Sequence, residues 1–231
     1  LKKNNVDILV GWSSFALKSF QKIKKEKCIK ILERGSTHIE FQKDILKAEY
    51  EKFSIKPNLP SNHIVKKEKQ EYDLADYIMV PSEFAKKTFL NKGFKDEKII
   101  KVPYGVSLKH FKSVDLKNDK NKKFRIIYVG SLSIRKGIIY LLKSFSELDL
   151  SNSELLLIGN IEKDIKKLID PYIKKKNIFH LNPKEQNHLS KYYNSSDIFV
   201  TCSLEEGLSM VQIQAMACGI PLITTPNSGS E

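Results

Sequence analysis

The stretch Ser203-Leu-Glu-Glu-Gly-Leu-Ser-Met-Val-Gln-Ile-Gln-Ala-Met-Ala-Cys-Gly-Ile-Pro-Leu-Ile-Thr-Thr-Pro-Asn-Ser-Gly229 runs from a strand end through an acidic glycine turn into an amphipathic helix. It stops at a glycine and continues as a short apolar strand and a turn of small residues. Strand, turn, helix, strand is the repeating unit of a parallel sheet. The turn brings two kinds of chemistry together. Free amides at a helix N-terminus bind phosphate, and the carboxylates of Glu205 and Glu206 can accept hydrogen bonds from sugar hydroxyls. A site that holds a diphosphate and a sugar at once needs both devices.

The same alternation extends outward. Upstream, Phe124–Val129, Leu155–Ile158, Ile178–Leu181 and Ile198–Thr201 read as strands. Helices are expected from Gly137, over a Lys-rich segment, near 185–193 and over Val211–Ala217, with Leu222–Thr224 as a last strand. In the first half, strands are expected at Val6–Val10, Ile29–Leu32, Tyr77–Val80 and Lys98–Val102. Phe15, Leu17, Phe20 and Ile23 form a helical stripe; helices follow at about 39–53 and 62–74, and from a Ser82 cap through Leu90 to Gly93. Residues 112–123 are polar, Lys/Asn-rich and without period, and read as a linker. The predicted fold class is α/β, with two Rossmann-like doubly wound parallel-sheet domains facing a cleft. The domains are 1–111 and 124–231, joined by 112–123. Both are expected to be incomplete, because the chain opens directly at a strand and stops inside a turn.

Composition bounds the function. With 231 residues and 41% hydrophobic content, the chain can build one large or two small packed domains. No apolar run reaches the roughly 18 residues of a membrane span, and no segment resembles a signal peptide. The three cysteines, Cys28, Cys202 and Cys218, lie far apart without metal-binding spacing, which fits a reducing compartment and a cytoplasmic location. The net charge of +13 rests on lysines scattered along every predicted helix and on three arginines, Arg34, Arg125 and Arg135. Without aromatic-basic motifs this reads as a solvated surface and argues against a nucleic-acid partner. Its sharper alternative is peripheral contact with anionic lipid at the inner face of the membrane.

The 203–229 stretch resembles the donor-site motif of GT-B glycosyltransferases of the large retaining family 4, whose pattern is Glu-Gly-Phe-Gly-Leu, three further residues, then Glu-Ala-Met-Ala-x-Gly-x-Pro-Val. Glu206 takes the first acidic position, Gly207 the glycine, and Ala215 to Pro221 the tail. Two positions depart: Gln214 stands for the second carboxylate, which in the family holds the ribose, and Ser209 for the mid-loop glycine. An amide both accepts and donates, so Gln214 can still hold a hydroxyl, less strongly than a charged acceptor.

A second element, Tyr128-Val-Gly-Ser-Leu-Ser-Ile-Arg-Lys-Gly137, ends a strand at Gly130 and sets two cations before a helix, which is a diphosphate cradle. It resembles the family's Gly-Arg-Leu…Lys-Gly element. Lys136 matches the lysine, Ser131 replaces the arginine, and Arg135 is expected to restore part of that charge. A third, Ile31-Leu-Glu-Arg-Gly-Ser-Thr-His38, runs a buried strand into a polar turn. The resemblance makes His38 a candidate for orienting the donor sugar; a surface His at a helix start is the alternative. Arg34 and Ser36 are candidates for acceptor or phosphate contact. Ser203 and the amides from Leu208 through Met210 to Val211 are expected to hold sugar and phosphates. Val102-Pro-Tyr-Gly-Val106 with Phe111 resembles the family's entry to the interdomain linker, where Phe111 would anchor the linker to a core.

The resemblance thus implies an enzyme that transfers a hexosyl group from a nucleotide-diphosphate sugar to an acceptor hydroxyl of a glycan or lipid-linked acceptor, in glycan or cell-surface polysaccharide synthesis. Glu206, Lys136 and His38 would be catalytic, and Arg135, Ser131, Gly130, Gly207, Leu208, Ser209, Met210, Gln214, Ser203 and Arg34 substrate-binding. No metal or cofactor beyond the donor substrate is expected, since no Asp-x-Asp lies in the cleft elements and the family is similarly metal-independent. The alternative, motivated by Gln214 and Ser131, is a non-catalytic nucleotide-sugar-binding or scaffold protein of the same fold.

Overall fold

The computed structural model describes residues 6–23, 28–114, 123–148 and 150–230. Two parallel sheets organise them. The first holds β1 (Ile8–Trp12), β2 (Ile29–Glu33), β3 (Tyr77–Val80) and β4 (Ile99–Lys101) in that spatial order. Its helices are α1 (Leu17–Lys22), α2 (Ile39–Lys52), α3 (Asn62–Leu74) and α4 (Glu83–Leu90). The first strand lies two residues later than its apolar run suggests, because Ile8 pairs in register with Ile29 and Trp12 with Glu33.

The second sheet contains β5 (Phe124–Val129), β6 (Ser153–Ile158), β7 (Ile178–Leu181), β8 (Ile198–Thr201) and β9 (Leu222–Thr224), ordered β7-β6-β5-β8-β9. Its helices are α5 (Ile138–Glu147), α6 (Lys166–Ile173), α7 (Gln186–Asn194) and α8 (Met210–Ala217). The central strand β5 is buried over its last four residues and β6 likewise, as expected of parallel strands covered on both faces.

The halves are not packed separately. Leu46 and Tyr50 of α2 lie in one apolar cluster with Leu132, Ile134 and Ile138 of the second half. Tyr140 of α5 donates to Glu49, and the Tyr50 hydroxyl donates to Asp164. Phe111, placed by its sequence context at the end of the first domain, is 1% exposed and packs with Ile127, Tyr193 and Phe199 in the core of the second sheet. The stretch 115–122 of the expected linker lies outside the described residues. No helix among the described residues is long and apolar enough to cross a membrane.

Candidate functional site

The second sheet dictates where its loops meet. The chain steps from β5 outward to β6 and β7, then returns to the other side of β5 with β8 and β9. Between β5 and β8 the direction of winding reverses, and the carboxyl ends of strands at such a switch point are where these sheets bind ligands. Arg135 and Lys136 ride on the loop after β5, and Glu205 and Glu206 on the loop after β8.

The two loops are tied closely. The Leu204 amide donates to the Arg135 carbonyl at 2.9 Å. Gly137 sits at φ 61°, and a Cβ there would fall 2.0 Å from the Cys202 carbonyl oxygen. Only glycine permits both this left-handed turn and this approach. The juxtaposition sets Lys136 Nζ against Glu206 Oε1 in an ion pair, with Arg135 Nη2 3.5 Å from Glu206 Oε2. Ser203 Oγ donates to Glu206 Oε1 at 3.4 Å. Glu206 is 7% exposed, so its charge is offset by these cations.

The start of α8 supplies N–H groups. Among the described residues, no hydrogen bond uses the amides of Leu208, Met210 or Val211. Ser209 departs from expectation: its amide donates to the Ser228 carbonyl at 3.2 Å, and its side chain does not cap the helix. Glu206 N likewise donates to Asn227 O at 3.0 Å, so the loop after β9 braces the loop after β8.

Gly130 and Gly159 make the floor. They end β5 and β6 at φ 145° and 155°, and a Cβ on Gly159 would meet the Gly130 carbonyl oxygen at 1.8 Å. Beside them lies a cavity of about 200 Å³ lined by Gly130, Ser131, Gly159, Asn160, Pro183 and Lys184. The Ser131 carbonyl accepts from Tyr128 at 2.7 Å. Gln214 is 4% exposed, and its Oε1 accepts from Tyr193 at 3.1 Å, which leaves its Nε2 to donate.

Three of the residues singled out in the sequence have partners of another kind. Arg34 does not reach these loops: it is 7% exposed and spends its donors inside the first half. Its Nε donates to the Thr37 carbonyl and its Nη2 to Gln42, while Nη1 lies 3.1 Å from Glu68. A carboxylate as buried as Glu68 (2% exposed) demands such a partner. His38 does not join Glu206 and Lys136. Its Nδ1 accepts from the Glu40 amide as the cap of α2, and its ring packs against Tyr72, Phe89 and Phe94. Burial pushes its pKa down to about 4, beyond what neighbouring Glu40 offsets. It lines a separate cavity of about 360 Å³ with Lys69, Lys92 and Phe94. Glu205, read with Glu206 as a sugar-facing pair, is 0% exposed and belongs to the junction between halves.

Gly207 also serves that junction. A Cβ there would lie 2.3 Å from the Gly35 carbonyl oxygen, and Ser82 Oγ donates to the Gly207 carbonyl. Gly159 was legible as a second strand-ending glycine. Nothing in the local sequence marked Gln42 or Tyr193, because their partners lie on other elements.

The glycosyl transferases group 1 family matches residues 111–231. An uncharacterised glycosyltransferase of Methanocaldococcus jannaschii is 27% identical over 168 residues, covering 68% of this chain and 42% of that protein. The capsular polysaccharide biosynthesis glycosyltransferase CapM of Staphylococcus aureus is 29% identical, covering 67% of this chain and 44% of its own length. The chain therefore spans about two fifths of the curated relatives it matches. Among solved structures, Anabaena HepE in complex with UDP superposes with a TM-score of 0.71 at 14% identity, over 97% of this chain and 61% of that one. Sucrose-phosphate synthase from Thermosynechococcus elongatus gives 0.68 at 19%, over 97% and 57%. These likenesses establish the fold, two Rossmann-like domains of GT-B type. With more than half of its residues matched by the family, the chain belongs to the glycosyl transferases group 1.

Proposed function

We propose that this chain carries the donor side of a glycosyltransferase that moves a hexosyl group from a nucleoside-diphosphate sugar to an acceptor hydroxyl, with retention at the anomeric carbon, as in family 4. One observation carries the reading. At the carboxyl ends of β5 and β8, two cations pair with a buried carboxylate, the loop that carries this carboxylate leads into the uncapped start of α8, and the glycine that ends β5 lines a cavity of about 200 Å³.

In this reading the base enters the cavity at Gly130 and Gly159, and Gln214 Nε2 donates to the ribose. The diphosphate takes Lys136, Arg135 and the amides of Leu208, Met210 and Val211. As the bond from the anomeric carbon to the diphosphate oxygen breaks, these groups stabilise the charge that develops on the leaving diphosphate. The acceptor oxygen then bonds to that carbon and passes its proton to the departing diphosphate oxygen. Glu206, released from Lys136 by the incoming phosphate, holds the sugar hydroxyls with Ser203. CapM is named for capsular polysaccharide synthesis, which supports a glycan or lipid-linked acceptor. Cytoplasmic placement and peripheral contact of the lysine-rich surface with anionic lipid belong to the same proposal.

Calorimetric titration with UDP, GDP and ADP tests the reading. Lys136→Gln should weaken binding of the preferred nucleotide at least tenfold while the protein stays folded; unchanged affinity overturns it. Gln214 and Ser131, which stand where the family pattern has charged residues, favour a second reading, a nucleotide-sugar-binding protein without turnover. Tight donor binding with no sugar released or transferred by the full-length protein would select it.

A further inference from the structure

Glu205 is a fully enclosed charge that the donor-site reading leaves without a role. Its side chain is 0% exposed, yet it collects donors from both halves. Oε1 accepts from Ser36 Oγ, from the Thr37 amide at 3.1 Å and from Thr37 Oγ1 at 2.6 Å. Oε2 accepts from Gln42 Nε2 at 2.9 Å and from Arg135 Nε at 2.9 Å. Arg135 Nε also lies 3.1 Å from the Glu205 carbonyl oxygen, and its Nη2 points to Glu206. Two edges of the guanidinium are thus fixed, and its plane is set by Glu205.

The tie continues into the first half. Gln42 Oε1 accepts from Arg34 Nη2 at 3.0 Å, and Arg34 is paired with buried Glu68 on α3. Resting on the donor-site reading above, we propose that Glu205 is a positioning residue: it aims Arg135 at the donor's terminal phosphate and makes that aim depend on the first half being seated. A junction that only needed adhesion has it already in the apolar packing of α2. A buried carboxylate is costly to desolvate, and this one is spent on orienting a cation of the donor site.

Glu205→Gln tests this with little change of shape. Whichever way the new amide sits, its N–H₂ faces a donor that cannot accept. On one side that donor is Arg135 Nε; on the other it is the Thr37 amide. The measurement is calorimetric affinity for a nucleoside diphosphate and for the matching monophosphate, which lacks the phosphate that Arg135 would meet. Charged hydrogen bonds of this kind correspond to roughly tenfold or more in binding.

Glu205→Gln should lose about tenfold on the diphosphate and less than twofold on the monophosphate. Ser36→Ala keeps the carboxylate, removes one donor from the first half and should give a smaller loss of the same selective kind. It also serves if Glu205→Gln does not fold. Equal losses on both nucleotides would reduce Glu205 to a structural bond, and unchanged affinities would overturn the proposal outright. Failure of the unaltered protein to bind any nucleotide would instead overturn the donor-site reading on which this rests.

Discussion

Replacing His38 by Asn should remove one defined component of the protein's acid sensitivity. In the fold the imidazole caps α2 through Nδ1 and is enclosed by Tyr72, Phe89 and Phe94. Burial is the main cause that lowers its pKa from 6.5 to about 4, with Lys92, Arg34 and Lys69 adding to it and Glu40 opposing. The unfolded chain takes up the proton below about pH 6.5, whereas the folded chain resists until about pH 4. The neutral form therefore contributes stability that is complete above pH 6.5 and drains away as pH falls through that window. Each tenfold in proton affinity corresponds to about 1.4 kcal/mol. The loss reaches about 2 kcal/mol by pH 4.5, after allowance for water reaching the ring edge through the adjoining cavity.

Asn is a favoured helix cap and does not titrate. Urea unfolding of the two proteins at intervals from pH 7.5 to 4.5 reads the difference. The variant should begin less stable, having lost the ring packing, and then decline by about 2 kcal/mol less than the parent. Parallel declines would refute the burial argument. A collapse of nucleotide binding with unchanged acid behaviour would return His38 to the donor site.

Other outcomes follow from the same contacts. Gly137→Ala forces a Cβ to within 2.0 Å of the Cys202 carbonyl oxygen at φ 61°, so it should cost about 2 kcal/mol or more and lower the melting temperature by several degrees. Phe111→Ala empties a 1% exposed position in the second core and should cost about 3–5 kcal/mol in denaturant unfolding. Ser82→Ala removes the cap on the Ala85 amide together with the bond to the Gly207 carbonyl. It should cost about 1–2 kcal/mol, with part of the loss restored by Asn. For Glu205, burial alone would raise the pKa, but Arg135, Ser36 and Thr37 outweigh it and hold the carboxyl at about 2. Its stabilisation is present above the unfolded value of 4.5 and is lost as pH falls toward 2. Glu205→Gln should therefore flatten unfolding curves in that lower window only.

Much of the fold was legible because each strand and helix is set by a local pattern. Tyr77–Val80, Phe124–Val129, Ile178–Leu181, Ile198–Thr201 and Leu222–Thr224 stand in the structure where the apolar runs place them. The cap at Ser82 follows from a side-chain oxygen that reaches the amide three residues on. The first strand slipped by two residues because its boundary is set by pairing with β2, which a single run does not encode.

The candidate site divides along the same line. Alone, the sequence determined that Arg135 and Lys136 follow one strand and Glu205 and Glu206 another, each before a helix, because such signals depend on neighbours along the chain. Tertiary structure decided which of these groups meet. Strand order brought the two loops together at the switch point and turned Glu206 toward Lys136. It buried Glu205 against Ser36, Thr37 and Gln42, and enclosed Arg34 and His38 in the first half. A side chain's polarity states which partners it can accept; only the packing of distant elements decides whether that partner is a ligand or another residue of the chain.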